Sequence, residues 1–229
     1  KDIPSQRGAA LLRRWIAEGE HSRQDFKFMI SDARKIARSI SAFANREGGR
    51  LLIGVKDNGS IAGVRNEEDI YVVEQAAQIY CSPAQDVEFT AYSVDATTHV
   101  ICASIARAQQ RPVEVIEADG IRRAYYRIAD ENIAAHPLMV RAWRRRSEND
   151  SPLLFSLSES EAELLDLLDS RPEGMHPRDI ALEIHRSSTE TDGLIVNLAS
   201  IGIVDFRHAG SEFLIVRTSI GRASCRERV

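Results

Sequence analysis

The residues best suited to chemistry in this 229-residue sequence are cations interleaved with aromatic rings. Arg122, Arg123 and Arg127 surround Tyr125 and Tyr126, and Arg123, Tyr125 and Arg127 share one parity, so a strand here would carry guanidinium groups and a ring on one face. Guanidinium groups neutralise phosphates and rings stack on bases, the combination that suits a nucleic-acid-binding surface. Arg141, Arg144, Arg145 and Arg146 continue the positive charge on a following helix. Lys27 lies two residues after Asp25, hence on the same face of an alternating strand, where its ammonium group could meet a phosphate. Other chemistries lack their motifs. There is neither a G-x-x-x-x-G-K-S/T loop nor a G-x-G-x-x-G turn, so nucleotide triphosphate hydrolysis is not predicted. Cys81, Cys102 and Cys225 have no CxxC spacing and no neighbouring His pair, which argues against a zinc site or a disulfide framework. His176, His185 and His208 fall in unrelated elements and read as surface or capping residues.

The elements that must position these residues follow from periodicity and turn chemistry. Leu11, Leu12, Trp15 and Ile16 share one face of a helix over 7–18. Phe26, Phe28 and Ile30 alternate with Asp25, Lys27 and Met29, the pattern of a half-buried strand whose polar side faces solvent. Ser31 or Asp32 can cap a helix carrying Ile36, Ile40, Phe43 and Ala44, and Gly48-Gly49 can end it, with Asn45 satisfying helix-end carbonyls. Strands are predicted over 50–55 and 61–64 around Asn58-Gly59, a helix over 67–80, strands over 87–94 and 99–105, and a hairpin over 113–128 folded at Ala118-Asp119-Gly120. His136-Pro137 opens a short helix that ends at Arg146. The implied class is α+β.

The ordered set Glu20-x4-Asp25-Phe-Lys27, then Ile40-Ser-Ala-Phe-Ala-Asn45, then Gly48-Gly-Arg-Leu-Leu-Ile-Gly-Val-Lys-Asp57-x-Gly59-x-Ile-Ala-Gly63 resembles the divergent AlbA domain of Schlafen proteins and their bacterial relatives. The likeness is close over some 45 residues and looser to about Arg146. It implies a mixed sheet with flanking helices. The chain is also similar to bacterial members with a C-terminal helix-turn-helix, which carry ATP-binding or transcriptional-regulator labels. For Schlafen-type nucleases the resemblance implies acidic residues holding Mg²⁺ or Mn²⁺ beside the scissile phosphate, and the matching positions are Glu20, Asp25 and Asp57. The plain alternative is that Asp25 and Lys27 occupy the solvated face of a strand and that Asp57 serves the turn at Asn58-Gly59.

Composition bounds the rest. Hydrophobic residues make up 43% of the chain, enough for an ordinary core, and no run approaches a membrane span, so a cytoplasmic protein is expected. Charge is uneven: residues 1–146 carry 22 Lys+Arg and 19 Asp+Glu, residues 147–219 carry 5 and 14. The expected organisation is an AlbA-like domain over 1–146, a linker over 147–152, a winged-helix-like domain over 153–219, and a 220–229 tail that reads as translated sequencing adapter. In the second domain Ser158-Glu-Ser-Glu161 forms a capping-box pattern, helices fit 177–185 and 190–200, and strands at 203–206 and 212–216 complete a helix-helix-helix-hairpin order. The third of these helices begins near Thr189-Glu-Thr-Asp192 and holds no Lys or Arg, so this acidic module is expected to bind a protein partner or a second copy instead of DNA. The whole reads as a protein that binds DNA or RNA through its first domain, as a regulator, without a required cofactor. A metal-dependent nuclease and a protein-interaction scaffold are the alternatives.

Overall fold

A computed structural model of the chain describes residues 5–6, 8–64, 68–148, 156–210 and 212–219. The chain divides into two compact units, Lys1–Ala135 and His136–Val229.

The first unit is organised by one buried helix. Asp32 caps α2 (Ala33–Ala44) by accepting from the backbone N–H groups of Arg34 and Lys35, as its short carboxylate and extended backbone allow. Ile36, Ala37, Ile40, Phe43 and Ala44 then form a fully buried stripe. On one side this stripe packs against a five-stranded mixed sheet in the order β1 (Ser5–Gln6), β5 (Val87–Ser93), β6 (His99–Ile105), β3 (Gly49–Ile53), β2 (Gln24–Lys27). On the other it meets an antiparallel sheet of β4 (Cys81–Ser82), β7 (Glu114–Ile116), β8 (Arg122–Ile128) and β9 (Glu131–Ala134), with Val113 and Val115 in the shared core. Helix α1 (Ala9–Glu18) covers the opposite face of the larger sheet, where Leu12 joins Phe26, Leu52, Val55, Tyr92, Val100 and Cys102. Helix α3 (Glu68–Gln75) continues into a π-helical turn, Ala76–Tyr80, that closes the core beside α2.

Three local readings change. The helix expected to start at 67 is described only from Glu68, since 65–67 lie outside the described residues, and its last five residues widen into the π-turn. Ile61 makes an isolated bridge to Val55 and no strand forms over 61–64. Most consequentially, β2 has no solvated face: Gln24, Asp25 and Phe26 are all buried, because α2 and β8 close over the side that the alternation assigns to water.

Gly48 and Gly49 do close the tight turn after α2. Gly48 has φ +75° and donates to the Phe43 carbonyl at 2.9 Å, and a Cβ on it would stand 2.7 Å from the Ile105 carbonyl oxygen. Asn45 ends the helix, its N–H donating to the Ser41 carbonyl at 2.9 Å, and its side chain does more. Its amide nitrogen donates to the carbonyls of Val113 and Tyr125 at 2.9 and 2.8 Å, and its oxygen accepts from Val113 N–H at 2.7 Å, so one buried side chain ties α2 to β8 and to the residue entering β7.

The second unit opens with α4 (Pro137–Glu148), followed by α5 (Glu159–Asp169), α6 (Pro177–Glu183), α7 (Ser188–Ser200) and the hairpin β10 (Val204–Ala209) with β11 (Glu212–Arg217). Capping boxes at Ser158/Glu161 and Ser187/Glu190 start α5 and α7. The sequence places α4 with the first domain, but its buried Leu138, Met139 and Ala142 belong to a helix that packs on α7, so the compact boundary falls at Ala135 and not at Arg146. That shift moves four arginines. Residues 1–135 then hold 18 Lys+Arg and 19 Asp+Glu, and the positive balance expected of the first domain is gone. Residues 149–152 of the expected linker and the 220–229 tail are outside the described residues. Among the described residues no helix is long and apolar enough to cross a membrane.

Candidate functional site

The edge strand β2 assembles the densest cluster of charge. Asp25, 4% exposed, receives Lys27 Nζ at 2.8 Å and Ser39 Oγ at 3.2 Å on Oδ2, and Arg127 Nη2 at 3.2 Å on Oδ1. Arg127 reaches it from β8 and is itself 1% exposed; it also donates to the carbonyls of His21 and Gln24 and to Asn132 Oδ1. Asn132 in turn donates to Ser39, closing a ring of polar groups beneath the strand. Glu20 precedes β2, and its Oε1 accepts from Phe26 N–H at 2.9 Å.

Glu20 and Asp25 hydrogen-bond through their side chains, and they titrate in opposite directions. Burial raises Glu20, and the hydrogen bond and charge of Asp25 raise it further against the Phe26 amide and Lys27. Burial alone would raise Asp25 too, but the hydrogen bond from Glu20 and the charges of Lys27 and Arg127 win and hold it below the usual carboxylate range. As pH falls, Glu20 is therefore the first of the two to take up a proton, and Asp25, met by two cations, holds its negative charge longer.

Asp57 does not join them. It sits exposed in the hairpin loop that Lys56 and Ser60 close with a backbone bond of 3.0 Å, a turn position that favours Asp for its own geometry. Among the described residues no three His, Cys, Asp or Glu side chains come together to hold a metal ion, so the three-carboxylate centre implied for Glu20, Asp25 and Asp57 is not assembled. The donor set that is present, with both Asp25 oxygens already occupied by cations and a hydroxyl, fits a charge-balanced structural network better than Mg²⁺ or Mn²⁺.

The basic and aromatic face of β8 is also turned inward. Arg123, Tyr125 and Arg127 do share one side of the strand, and that side meets α2: Tyr125 N–H donates to Ser41 Oγ, and its carbonyl accepts from Asn45. Tyr125 Oη donates to Glu117 at 2.5 Å, and Arg38 clamps the same carboxylate with two bonds of 2.8 and 2.6 Å. The hydrogen bond from Arg38 holds the Glu117 carboxyl low, while burial and Glu117 push the Tyr125 phenol up to about 12. Arg123 pairs with Asp119 at 2.7 Å on the rim, and Arg122 is exposed. Of the expected nucleic-acid contacts, Arg127 is thus internal, Tyr125 is committed to Glu117, and Lys27 is half-buried on Asp25. Arg144 and Arg145 are exposed, but on α4 in the second unit. Sequence reasoning missed Arg38, Ser39, Glu117 and Asn132; Glu117 left a trace, as a charged residue at the parity of Val113 and Val115.

The family profile described as Schlafen, AlbA_2 matches residues 20–136. The chain belongs to the Schlafen AlbA_2 family. The matched span ends within a residue of the first compact unit, so that unit is the AlbA_2 domain. Among proteins of curated function none matches the chain. Among solved structures it is similar to the DIP2311 protein from Corynebacterium diphtheriae, at 19% identity and TM-score 0.44 over 90% of this chain, which spans 38% of that protein. It is also similar to the N-terminal domain of an ATP-dependent DNA helicase RecG-related protein from Nitrosomonas europaea, at 18% identity and TM-score 0.40 over 67% of this chain and 97% of that domain.

Proposed function

We propose that this AlbA_2 protein binds nucleic acid, and that its backbone contacts come from α4. The observation that carries the reading is the charge at one end of one helix: Arg141, Arg144, Arg145 and Arg146 are all exposed while Leu138, Met139 and Ala142 are buried. A rigid helix that offers four guanidinium groups neutralises phosphates without reading bases. Helix α7, the recognition helix of the winged-helix order formed by α5, α6, α7 and the β10–β11 hairpin, contains no Lys or Arg and begins with Ser188-Thr-Glu-Thr-Asp192. It is a protein-facing helix in this account, serving self-association or a partner in a cytoplasmic transcriptional regulator.

The test is a titration of labelled DNA and RNA at several salt concentrations. Four phosphate contacts on a duplex give a slope of log affinity against log salt of about −3.6, and the double substitution Arg144→Glu, Arg145→Glu lowers its magnitude by about 2. Binding that ignores both salt and these substitutions removes the proposal.

A nuclease reading draws support from one feature, the adjacent Glu20 and Asp25 with Lys27 beside them. Its expected signature is Mn²⁺-dependent cleavage of the probes that Asp25→Ala abolishes; intact probes leave the carboxylates with their structural role.

A further inference from the structure

The α1-covered face of the large sheet changes character along its strands. One cross-strand row, Phe26, Leu52 and Cys102, is apolar and lies beneath α1. The next row, in register across four strands, is Gln24, Arg50, Ser104 and Glu88, all polar. Above this second row the sheet is open and forms a groove of about 290 Å³ whose wall includes Trp15, Arg23, Glu47, Arg50, Cys102 and Ser104. That volume lies at the small end of ligand clefts.

The groove is built, not left over. Arg50 lies 4.2 Å above the Trp15 ring, and its Nε and Nη2 are fixed by Gln24 Oε1 at 2.6 Å and Glu18 Oε2 at 2.9 Å. Gln24, fully buried, is anchored in turn to the carbonyls of Trp15 and Gly19 at 2.6 and 2.7 Å. Trp15 is braced edge-on by Tyr92 at 5.4 Å. A guanidinium plane held on an indole, with 23% of the Arg50 side chain still open, is a stacking platform whose ordering cost is met before anything binds. Solvation of a sheet end needs none of these constraints.

We propose that this groove holds one base of a single-stranded nucleic acid, packed against the Trp15–Arg50 platform. Stacking on aromatic and guanidinium planes is how single strands are held without sequence reading, and a base paired inside a duplex cannot enter a groove of this size. Exposed Arg23 at the rim suits a flanking phosphate, and the Glu47 carboxylate and Ser104 hydroxyl offer acceptors to an exocyclic amine. The assignment rests on the nucleic-acid reading above but uses a different unit of the chain, so the two fail separately.

The experiment uses the full chain with Trp143→Phe, which leaves Trp15 as the one indole. An eight-nucleotide single strand is expected to quench Trp15 emission saturably, and a blunt-ended two-strand duplex at equal nucleotide concentration to leave it unchanged. Trp15→Ala should weaken single-strand binding about tenfold. Because that truncation also removes the packing on Tyr92, Ser104→Leu serves as the second variant: it fills the groove, should abolish the quench and weaken single-strand binding to a similar degree, and should leave duplex binding and the thermal midpoint as they were. Single strands that bind with Trp15 unquenched and are indifferent to Ser104→Leu overturn the groove alone. Absence of binding by every probe overturns both proposals.

Discussion

Replacing Arg127 by Met tests the network under β2 most directly. Met keeps the aliphatic stem and removes every donor, so Asp25 loses the partner at 3.2 Å while staying in a site where it is 4% exposed. The His21 and Gln24 carbonyls each retain a second partner, since the amides of Gln24 and His21 donate to them at 3.1 and 3.0 Å, and only Asn132 Oδ1 is stripped of its charged donor. The loss is then mainly that of breaking a buried ion pair from one side, about 3–5 kcal/mol, to which the contact of the guanidinium over Phe43 adds a little. Lys27 at 2.8 Å still neutralises Asp25, which places the expectation near the lower end, about 3 kcal/mol. For a unit of this size that corresponds to a midpoint lower by about 10 °C. Two units need not unfold together, so the assay is urea and thermal unfolding followed by Trp15 emission in the Trp143→Phe background, which reports on the first unit alone. Adding Asp25→Asn should recover about half the loss, because the stranded charge goes with it. A loss under about 1 kcal/mol, or strictly additive effects, would refute the argument that Arg127 is held there by Asp25.

The other predictions concern the same unit. Asn45→Ala takes the side-chain acceptor from the buried Val113 N–H and the side-chain donor from the Tyr125 carbonyl, while the Val113 carbonyl keeps Ser41 Oγ at 2.7 Å, and should cost about 2–3 kcal/mol in unfolding free energy. Gly48→Ala forces a side chain onto φ +75° and a Cβ against the Ile105 carbonyl, so a loss above about 1 kcal/mol is expected, and an unchanged midpoint would count against the tight turn. Acid titration of stability should show two opposing limbs. Asp25, lowered from 3.8, contributes stability that is present above about pH 4 and lost as pH falls through its native value; Glu20, raised from 4.5, contributes stability that is full below pH 4.5 and lost as pH rises through its native value. Glu20→Gln should therefore flatten the decline above pH 4.5 and leave the acid limb in place; a profile identical to that of the unsubstituted chain would show that folding does not raise Glu20.

The α+β class and the order of elements were legible because they depend on local signals: the Asp32 cap, the stripe from Ile36 to Ala44, the glycine pair at 48–49, and the Ala118-Asp119-Gly120 turn. What alternation could not give was the second layer over β2. A strand with one apolar and one polar side reads as half solvated, yet Asp25 lies on the buried side because Arg127, 102 residues later, arrives to meet it. The same long-range pairing inverts the meaning of β8, where parity correctly grouped Arg123, Tyr125 and Arg127 but could not say that α2, with Arg38, Ser41 and Asn45, covers that face.

Charge carried the largest misreading, and its cause is instructive for how function is assigned. A net charge belongs to a compact body, and the body ends where packing ends, at Ala135; the four arginines that made the first domain basic sit on a helix whose apolar face is spent on α7. The first unit, left near neutrality, has little means of attracting a polyanion from a distance and must rely on short-range contacts such as the Trp15–Arg50 platform. The second unit is acidic as a whole yet presents one cationic helix beside α7, whose first turn carries Glu190, with Arg141 and Asp192 3.9 Å apart where the two helices meet. Such a surface favours nucleic acid approaching along α4 and rejects it over α7, so orientation on the strand is set by repulsion as much as by attraction. Under this division of labour, salt dependence resides in α4 and single-strand preference in the groove, and substitutions in the two places should add without coupling.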